Sequence, residues 1–205
     1  MVYDSFERIH IPLLIILSGT AGSGKDSVVR RMMERGVPFE FVVNLTSRPP
    51  RPGEIDGRDY RFVSDADFAE MIRKDELLEH AVVYGQFKGV PKRPVREAME
   101  SGKDVILRVD IQGAATVRRQ CPGAVSIFLT AASPEELKRR LVARGADSAE
   151  QVELRLRTAS EEMKRVPEFD YCVVNADGRL EEAVDSIISI IRAEHCRTSP
   201  RKAVL

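Results

Sequence analysis

The chain has 205 residues, 43% of them apolar and 31% charged, with 13 glycines and 11 prolines, proportions that exclude disordered, collagenous and low-complexity classes. At roughly 150 residues per domain this length fits one domain with insertions, and such a chain buries about 70% of its unfolded surface without staples. Lys plus Arg and Asp plus Glu each number 32, so no global basic field draws in nucleic acid or an anionic membrane, and any anion must be caught locally.

Residues 1–8 carry Asp4 and Glu7 ahead of an apolar run, the wrong flank for a secretory signal, so the expected compartment is the cytoplasm. The run itself, Ile11 to Leu17, is seven residues long and contains a proline, against about 20 needed to cross a bilayer. Leu13 to Leu17 reads as a first strand, followed by a helical stripe of Val28, Val29, Met32 and Met33 and a further strand at Phe41 to Val43. Residues 44–97 are richer in Pro, Gly and Arg, with short strand-like pieces and one helix starting near Asp65, the pattern of an inserted subdomain. Val105 to Val109 and Val125 to Leu129 are two more strands. Ser133-Pro134-Glu135-Glu136 supplies a capping hydroxyl, a first-turn proline and a carboxylate, and Ser148 with Gln151 makes a capping box before a long polar helix reaching about Arg165. Between them, residues 140–160 are crowded with arginines and acids around Gly145, which suggests a mobile helical flap. Tyr171 to Val174 is the last strand. Leu180, Ala183, Val184, Ile187, Ile188 and Ile191 then fall on one helical face that packs on the sheet. Arg197 to Leu205 is a polar tail expected to be disordered. Cys121, Cys172 and Cys196 form an odd set without a C-x-x-C pair and read as reduced thiols, Cys172 in the core; His10, His80 and His195 read as surface or partly buried.

Runs alternating with helical stripes are the signature of βαβ units and a parallel sheet. Directly after the first strand comes Gly19-Thr20-Ala21-Gly22-Ser23-Gly24-Lys25, a G-x-x-x-x-G-K run between a strand and a helix. Its glycines let backbone N–H groups turn inward around a phosphate, the helix N-terminus adds partial positive charge, and Lys25 reaches the outer phosphates. The hydroxyl usual after the lysine is replaced by Asp26, with Ser27 following. An aspartate is also an oxygen donor suited to Mg²⁺, the alternative being a first-turn acid that only complements the helix dipole.

A second anion site is written into Thr46-Ser47-Arg48-Pro49-Pro50-Arg51-Pro52-Gly53-Glu54, where three prolines stiffen two arginines whose planar forks suit a phosphate. Asp56-Gly57-Arg58-Asp59-Tyr60 comes next as a turn into a strand, which brings the Tyr60 hydroxyl towards them. At these residues the chain resembles the guanylate kinases, over nearly all of residues 11–192. Leu77-Leu78-Glu79, Asp110-Ile111-Gln112-Gly113-Ala114, Arg140 with Arg144-Gly145, and Val173-Val174-Asn175 also match. The resemblance implies an α/β fold, a P-loop NTPase-type parallel sheet with helices on both faces, plus an inserted nucleoside-monophosphate-binding subdomain and a helical lid. The core would comprise residues 1–43, 98–139 and 161–196, the GMP-binding subdomain residues 44–97 and the lid residues 140–160, with 197–205 a flexible tail. It further implies ATP, carried with Mg²⁺, on Gly19 to Ser27 and Asn175, and the GMP phosphate on Arg48, Arg51 and Tyr60. Guanine falls to Glu79 and Asp110, and the flap arginines are Arg140, Arg144 and Arg155.

Chemistry makes independent sense of the two acids. Guanine presents two donors, N1–H and the N2 amine, on the edge where adenine has an acceptor and a C–H, so carboxylates select it. The chain departs from the family pattern at four places. Asn44 stands where a serine faces the guanine O6, Lys88-Gly89-Val90 replaces Tyr-Gly-Ser/Thr, Arg108 replaces an acid, and Asp26 replaces the hydroxyl. Asn44 can donate to O6 and Lys88 can attract the GMP phosphate. Gly-Lys-Asp and Lys-Gly-Val-Pro are similar to organelle-type guanylate kinases of plants. Two alternatives stay open: a ribose 1,5-bisphosphate phosphokinase, which shares Gly-Lys-Asp-Ser, and a non-catalytic guanylate-kinase-like module that binds phosphopeptides.

Overall fold

The computed structural model describes residues 10–83, 85–143 and 148–205. In chain order the elements are β1 (Leu14–Gly19), α1 (Lys25–Glu34), β2 (Glu40–Phe41), β3 (Leu45–Thr46), β4 (Arg61–Phe62), α2 (Asp65–Arg73), β5 (Leu77–Val83), β6 (Gln86–Pro91) and α3 (Lys92–Glu100). Next come β7 (Val105–Arg108), α4 (Ile111–Gln120), β8 (Val125–Thr130), α5 (Pro134–Ala143), α6 (Ala149–Met163), β9 (Tyr171–Val174) and α7 (Leu180–His195). No helix among the described residues is long and apolar enough to cross a membrane.

Every residue of β1 is buried, which is why it reads as an unbroken apolar run: a parallel strand covered on both faces has no polar side. It pairs in parallel with β7 on one side and β8 on the other, in a five-stranded sheet of order β2-β7-β1-β8-β9. Leu13, Ile15 and Leu17 face a layer formed by Val28 and Met32 of α1 and Val184, Ile187 and Ile191 of α7. Leu14 and Ile16 face the opposite layer, with Val95 of α3 and Ala114 and Val117 of α4. The result is the expected α/β arrangement, a parallel sheet between two helical layers. A second sheet of order β4-β3-β6-β5 comes from residues 45–91 and carries its own small core, in which Phe68 of α2 stacks on Phe87 at 5.1 Å. Ser64 caps α2, and the Ser148–Gln151 capping box opens α6 with both reciprocal bonds in place.

Four expectations need correction. Met33 is 54% exposed, because at about 100° per residue it lies about 40° further round α1 than Val29 and falls off the buried face. Cys172 is exposed: β9 is an edge strand, α7 packs on the side carrying Val173, and Cys172 and Val174 point the other way. The strand expected at Phe41 to Val43 ends at Phe41, where pairing with β7 stops. The C-terminal tail is ordered against the core. Arg201 donates to Glu194 at 3.0 Å and to Asp170 at 2.9 Å, Ala203 packs on the layer of α3 and α4, and Lys202 runs so close to Gly123 that a Cβ there would collide with its carbonyl.

Glu194 is buried and shares its carboxylate between the Tyr171 hydroxyl at 2.6 Å and Arg201. Arg201→Ala leaves that charge without its closest cation and is expected to cost about 2 kcal/mol in urea unfolding. A change below about 0.5 kcal/mol would mean that the tail contributes nothing.

Candidate active site

The parallel strands end together, and the loops leaving β1, β7 and β9 meet in one cleft, where open α/β sheets bind their ligands. After β1 the chain turns through Gly19, Gly22 and Gly24, all at positive φ, into α1. Glycine is needed twice over at Gly24: its φ is 92°, and a side chain would strike the Asn175 amide. Lys25 folds its Nζ onto the loop, donating to the Gly19 carbonyl at 2.7 Å and the Thr20 carbonyl at 3.0 Å, which leaves one of its three donors. Burial pulls its pKa below the usual lysine range, opposed by the carboxylates of Asp26, Glu162 and Asp110. Asn175 braces the loop by donating to the Ser23 carbonyl at 2.8 Å, while Arg140 donates to the Asn175 carbonyl and to Asp177, both at 2.8 Å. Five of the seven buried side-chain polar atoms without a hydrogen-bond partner among the described residues lie in this region: the hydroxyls of Ser18, Thr20 and Ser23, the Asn44 Oδ1 and the Arg108 Nε. Such orphans gather where a ligand is to be met.

Across the cleft, Arg48 is nearly buried, its fork held by Glu54 through two bonds of 2.6 Å. Glu54 also accepts the Arg51 backbone N–H at 2.8 Å, so one carboxylate organises the whole Arg-Pro loop. Tyr60 lies with its ring centroid 4.8 Å from the Arg48 guanidinium carbon and 4.4 Å from that of Arg108. Arg108, only 7% exposed, pairs with Asp26 and donates to the Asp59 carbonyl at 2.8 Å. Asp26 is therefore charge-compensated within the chain rather than left bare beside the phosphate loop, and it also stands in the first turn of α1.

Glu79 on β5 is 5% exposed, and burial, reinforced by Asp110, pushes its carboxyl up to about 8. It reaches the start of α4 because Gly113 has no side chain; a Cβ there would lie 2.7 Å from the Glu79 carboxylate. Asp110 caps α4 by accepting from the Gly113 N–H at 2.8 Å and still lines the cleft. Lys88 on β6 is brought down to about 8 by burial. Asn44 gives its amide N–H to the Arg108 carbonyl at 2.5 Å, so the hydrogen expected to face a base carbonyl is already used and one donor of that nitrogen remains.

The two sides of the cleft line one cavity of about 1280 Å³, above the roughly 300–1000 Å³ of a site for a single small ligand. Of the residues expected to bind substrates, Lys25, Asp26, Ser27, Asn44, Arg48, Arg51, Tyr60, Glu79, Lys88, Asp110, Arg140, Arg155 and Asn175 line it, with Gly19, Ala21, Gly22 and Gly24. Thr20 and Ser23 are buried beneath it, and Arg144 lies outside the described residues.

Comparison with known proteins matches the guanylate kinase family model to residues 12–194. The chain belongs to the guanylate kinase family. It is similar to guanylate kinase 2, chloroplastic/mitochondrial, of Oryza sativa subsp. japonica, 48% identical over 191 residues, 93% of this chain and 67% of that one. Guanylate kinase of Lactococcus lactis subsp. lactis is 44% identical over 185 residues, 90% and 89% of the two chains. Among solved structures, guanylate kinase from Anaplasma phagocytophilum aligns with a TM-score of 0.76 and 32% identity, over 92% of this chain and 89% of that one.

Within this guanylate kinase fold, several cleft residues are not apparent from the sequence. Gln151, Arg155, Thr158 and Glu162 recur at three- and four-residue spacing and present one polar face of α6 to the cavity, with Arg165 just beyond the helix end lining it as well. Arg155 alone was expected there; its helical periodicity would have found the others. Burial raises Glu162 to about 7 against the pull of Lys25.

The raised carboxyl of Glu79 has a sign that can be measured. A folded-state value of about 8 against the ordinary 4.5 means that its contribution to stability is fully present below pH 4.5 and is lost as pH rises through 8. Lys88, shifted the opposite way, and Asp110 face the same group, so the difference between wild type and variant is the readout. Between pH 6.5 and 9 the melting temperature of the wild-type enzyme should fall by about 3 °C or more relative to Glu79→Gln. Parallel curves would show a carboxyl already ionised at neutral pH.

Proposed function

We infer that this guanylate kinase transfers the γ-phosphoryl group of ATP to a phosphate oxygen of GMP, giving ADP and GDP. The observation that carries the inference is the single cavity in which a phosphate loop with Lys25 faces a second cationic loop backed by two buried acids. In the in-line reaction the bond from the γ-phosphorus to the bridging oxygen breaks as the acceptor oxygen bonds to phosphorus, so the protein contributes positioning and charge. The loop N–H groups and Lys25 hold the ATP phosphates. Arg48, Arg51 and Tyr60 take the GMP phosphate, with Lys88 adding charge. Glu79, once it gives up its proton, and Asp110 accept from guanine N1–H and N2, and Asn44 meets O6. Asn175 lies beside the adenine, and Arg140, Arg144 and Arg155 screen the transferring group. In this reading residues 44–97 are the acceptor subdomain, and residues 140–160, built on α5 and α6, are the lid that excludes water.

The donor set also suits Mg²⁺, which takes hard oxygen ligands: the Asp26 carboxylate and the Ser27 hydroxyl stand side by side at the start of α1, and Glu162 and Asp110 act on the same lysine. Bound with ATP, Mg²⁺ supplies neutralisation of the phosphate charge. Asp26 would hold the ion, and Arg108 fixes the orientation of Asp26.

A coupled ADP-release assay across GMP, dGMP, AMP, UMP, CMP and ribose 1,5-bisphosphate tests the activity. GMP should exceed AMP in kcat/KM by at least about a hundredfold, and Glu79→Gln and Asp110→Asn should each narrow that ratio about tenfold or more. Lys25→Ala should lower kcat at least about a hundredfold. Preference for the sugar bisphosphate, or no turnover with GMP, would reject the reading. For the metal, Asp26→Asn and Arg108→Gln should each raise the Mg²⁺ concentration for half-maximal rate about tenfold. An unshifted midpoint in both would leave the Asp26–Arg108 pair as a structural tie only.

A further inference from the structure

At the other end of the sheet, where the strands begin, His10, Asp104 and His195 each present one ligand atom, and these atoms all lie within 4.8 Å of one another. Two of the chain's three histidines are gathered on one buried carboxylate. Asp104 sits just ahead of β7 and accepts from the Leu13 N–H at 2.9 Å, which fixes its plane. Its second oxygen is 2.7 Å from Nε2 of His195, the last residue of α7, and its first is 3.9 Å from Nε2 of His10. The two imidazoles stack with centroids 4.7 Å apart, so both present their Nε2 atoms to the same carboxylate. The position is distinct from the nucleotide cleft. Leu13, bonded to Asp104, immediately precedes β1 and Gly19 ends it, which at about 3.3 Å per residue puts about 20 Å between this cluster and the phosphate loop.

We propose that His10, Asp104 and His195 form a binding site for a borderline-soft divalent ion of the zinc class, tying the segment before β1 to the end of α7. Two neutral imidazole nitrogens and one carboxylate suit Zn²⁺ or Co²⁺ and not Mg²⁺, which takes oxygen ligands. Three protein ligands leave a fourth position for water, and the 55% exposure of His10 opens that side to solvent. Ligand atoms bound at about 2.0–2.2 Å around a tetrahedral ion stand about 3.3 Å apart. The ring of His10, outside any strand, is the member placed to close the remaining distance. Asp104 is oriented from behind by the Leu13 N–H, as ligating carboxylates commonly are.

The test is calorimetric titration of the intact, nucleotide-free protein with ZnCl₂, together with visible absorption of the Co²⁺ form and thermal melts in Zn²⁺, Mg²⁺ and chelator. One equivalent of Zn²⁺ should bind and raise the melting temperature by about 5 °C at a hundredfold excess over Kd, with no such rise in Mg²⁺. His10→Gln and His195→Gln should each weaken binding at least tenfold and abolish the tetrahedral Co²⁺ bands. Asp104 also holds the start of β1, so His10→Gln, at the exposed ligand, is the variant that decides. Unchanged Zn²⁺ affinity in both histidine variants, equal stabilisation by Mg²⁺, or no binding up to millimolar Zn²⁺ would overturn the proposal and leave an ordinary His–Asp hydrogen bond.

Discussion

A guanidinium charge taken out of water has to be answered at every face, and Arg108 sets that requirement at the centre of the molecule. It leaves β7 of the parallel sheet, pairs with Asp26 on α1, donates to the carbonyl of Asp59 in the loop between β3 and β4 and stacks near Tyr60. Breaking a buried ion pair on one side costs about 3–5 kcal/mol, far more than an exposed pair is worth. α1 and the loop between β3 and β4 are therefore held in register by one side chain. Its charge and that of Asp26 make sense only together. Arg108 alone would be an unanswered cation, and Asp26 alone a repulsive carboxylate beside a polyphosphate.

The cleft as a whole stores desolvated charge. Burial moves Glu79 and Glu162 up and Lys88 and Lys25 down, each towards its neutral form. In the proposed reaction, the substrates would bring what these groups lack: donors for the carboxylates and phosphate oxygens for the ammonium groups. Such a site is poorly stabilised by its own contacts, and the rigid sheet beneath it, buried on both faces, supplies the stability that the cleft gives up.

How far the sequence foretold this depended on the kind of signal. Strands buried on both faces and the strand–glycine–lysine–helix run are local patterns, and they were legible to within a residue or two. That Arg48, Arg51, Glu79 and Asp110 gather in one cleft was legible through their motifs. Glu54 was not, because its pairing with Arg48 depends on a loop fold that prolines permit but do not specify. Gly113 was hidden because its reason is a neighbour 34 positions away, the Glu79 carboxylate that needs the space. The exposure of Cys172 and the docking of the tail both depend on which strand lies at the sheet edge and what covers it, facts of topology that composition does not carry.

Five strands all running one way give the sheet two unlike rims. Every strand delivers its outgoing loop to the same rim, so the phosphate loop, the Asp110 cap and Asn175 are crowded there and constrain one another. The opposite rim receives the chain entering the strands, the segment before β1 and Asp104 ahead of β7, together with the end of α7 and its docked tail. Changes on that side can alter how the protein is fastened, extended or tethered while the reacting side keeps its geometry, so the fold can vary its attachments without renegotiating its chemistry.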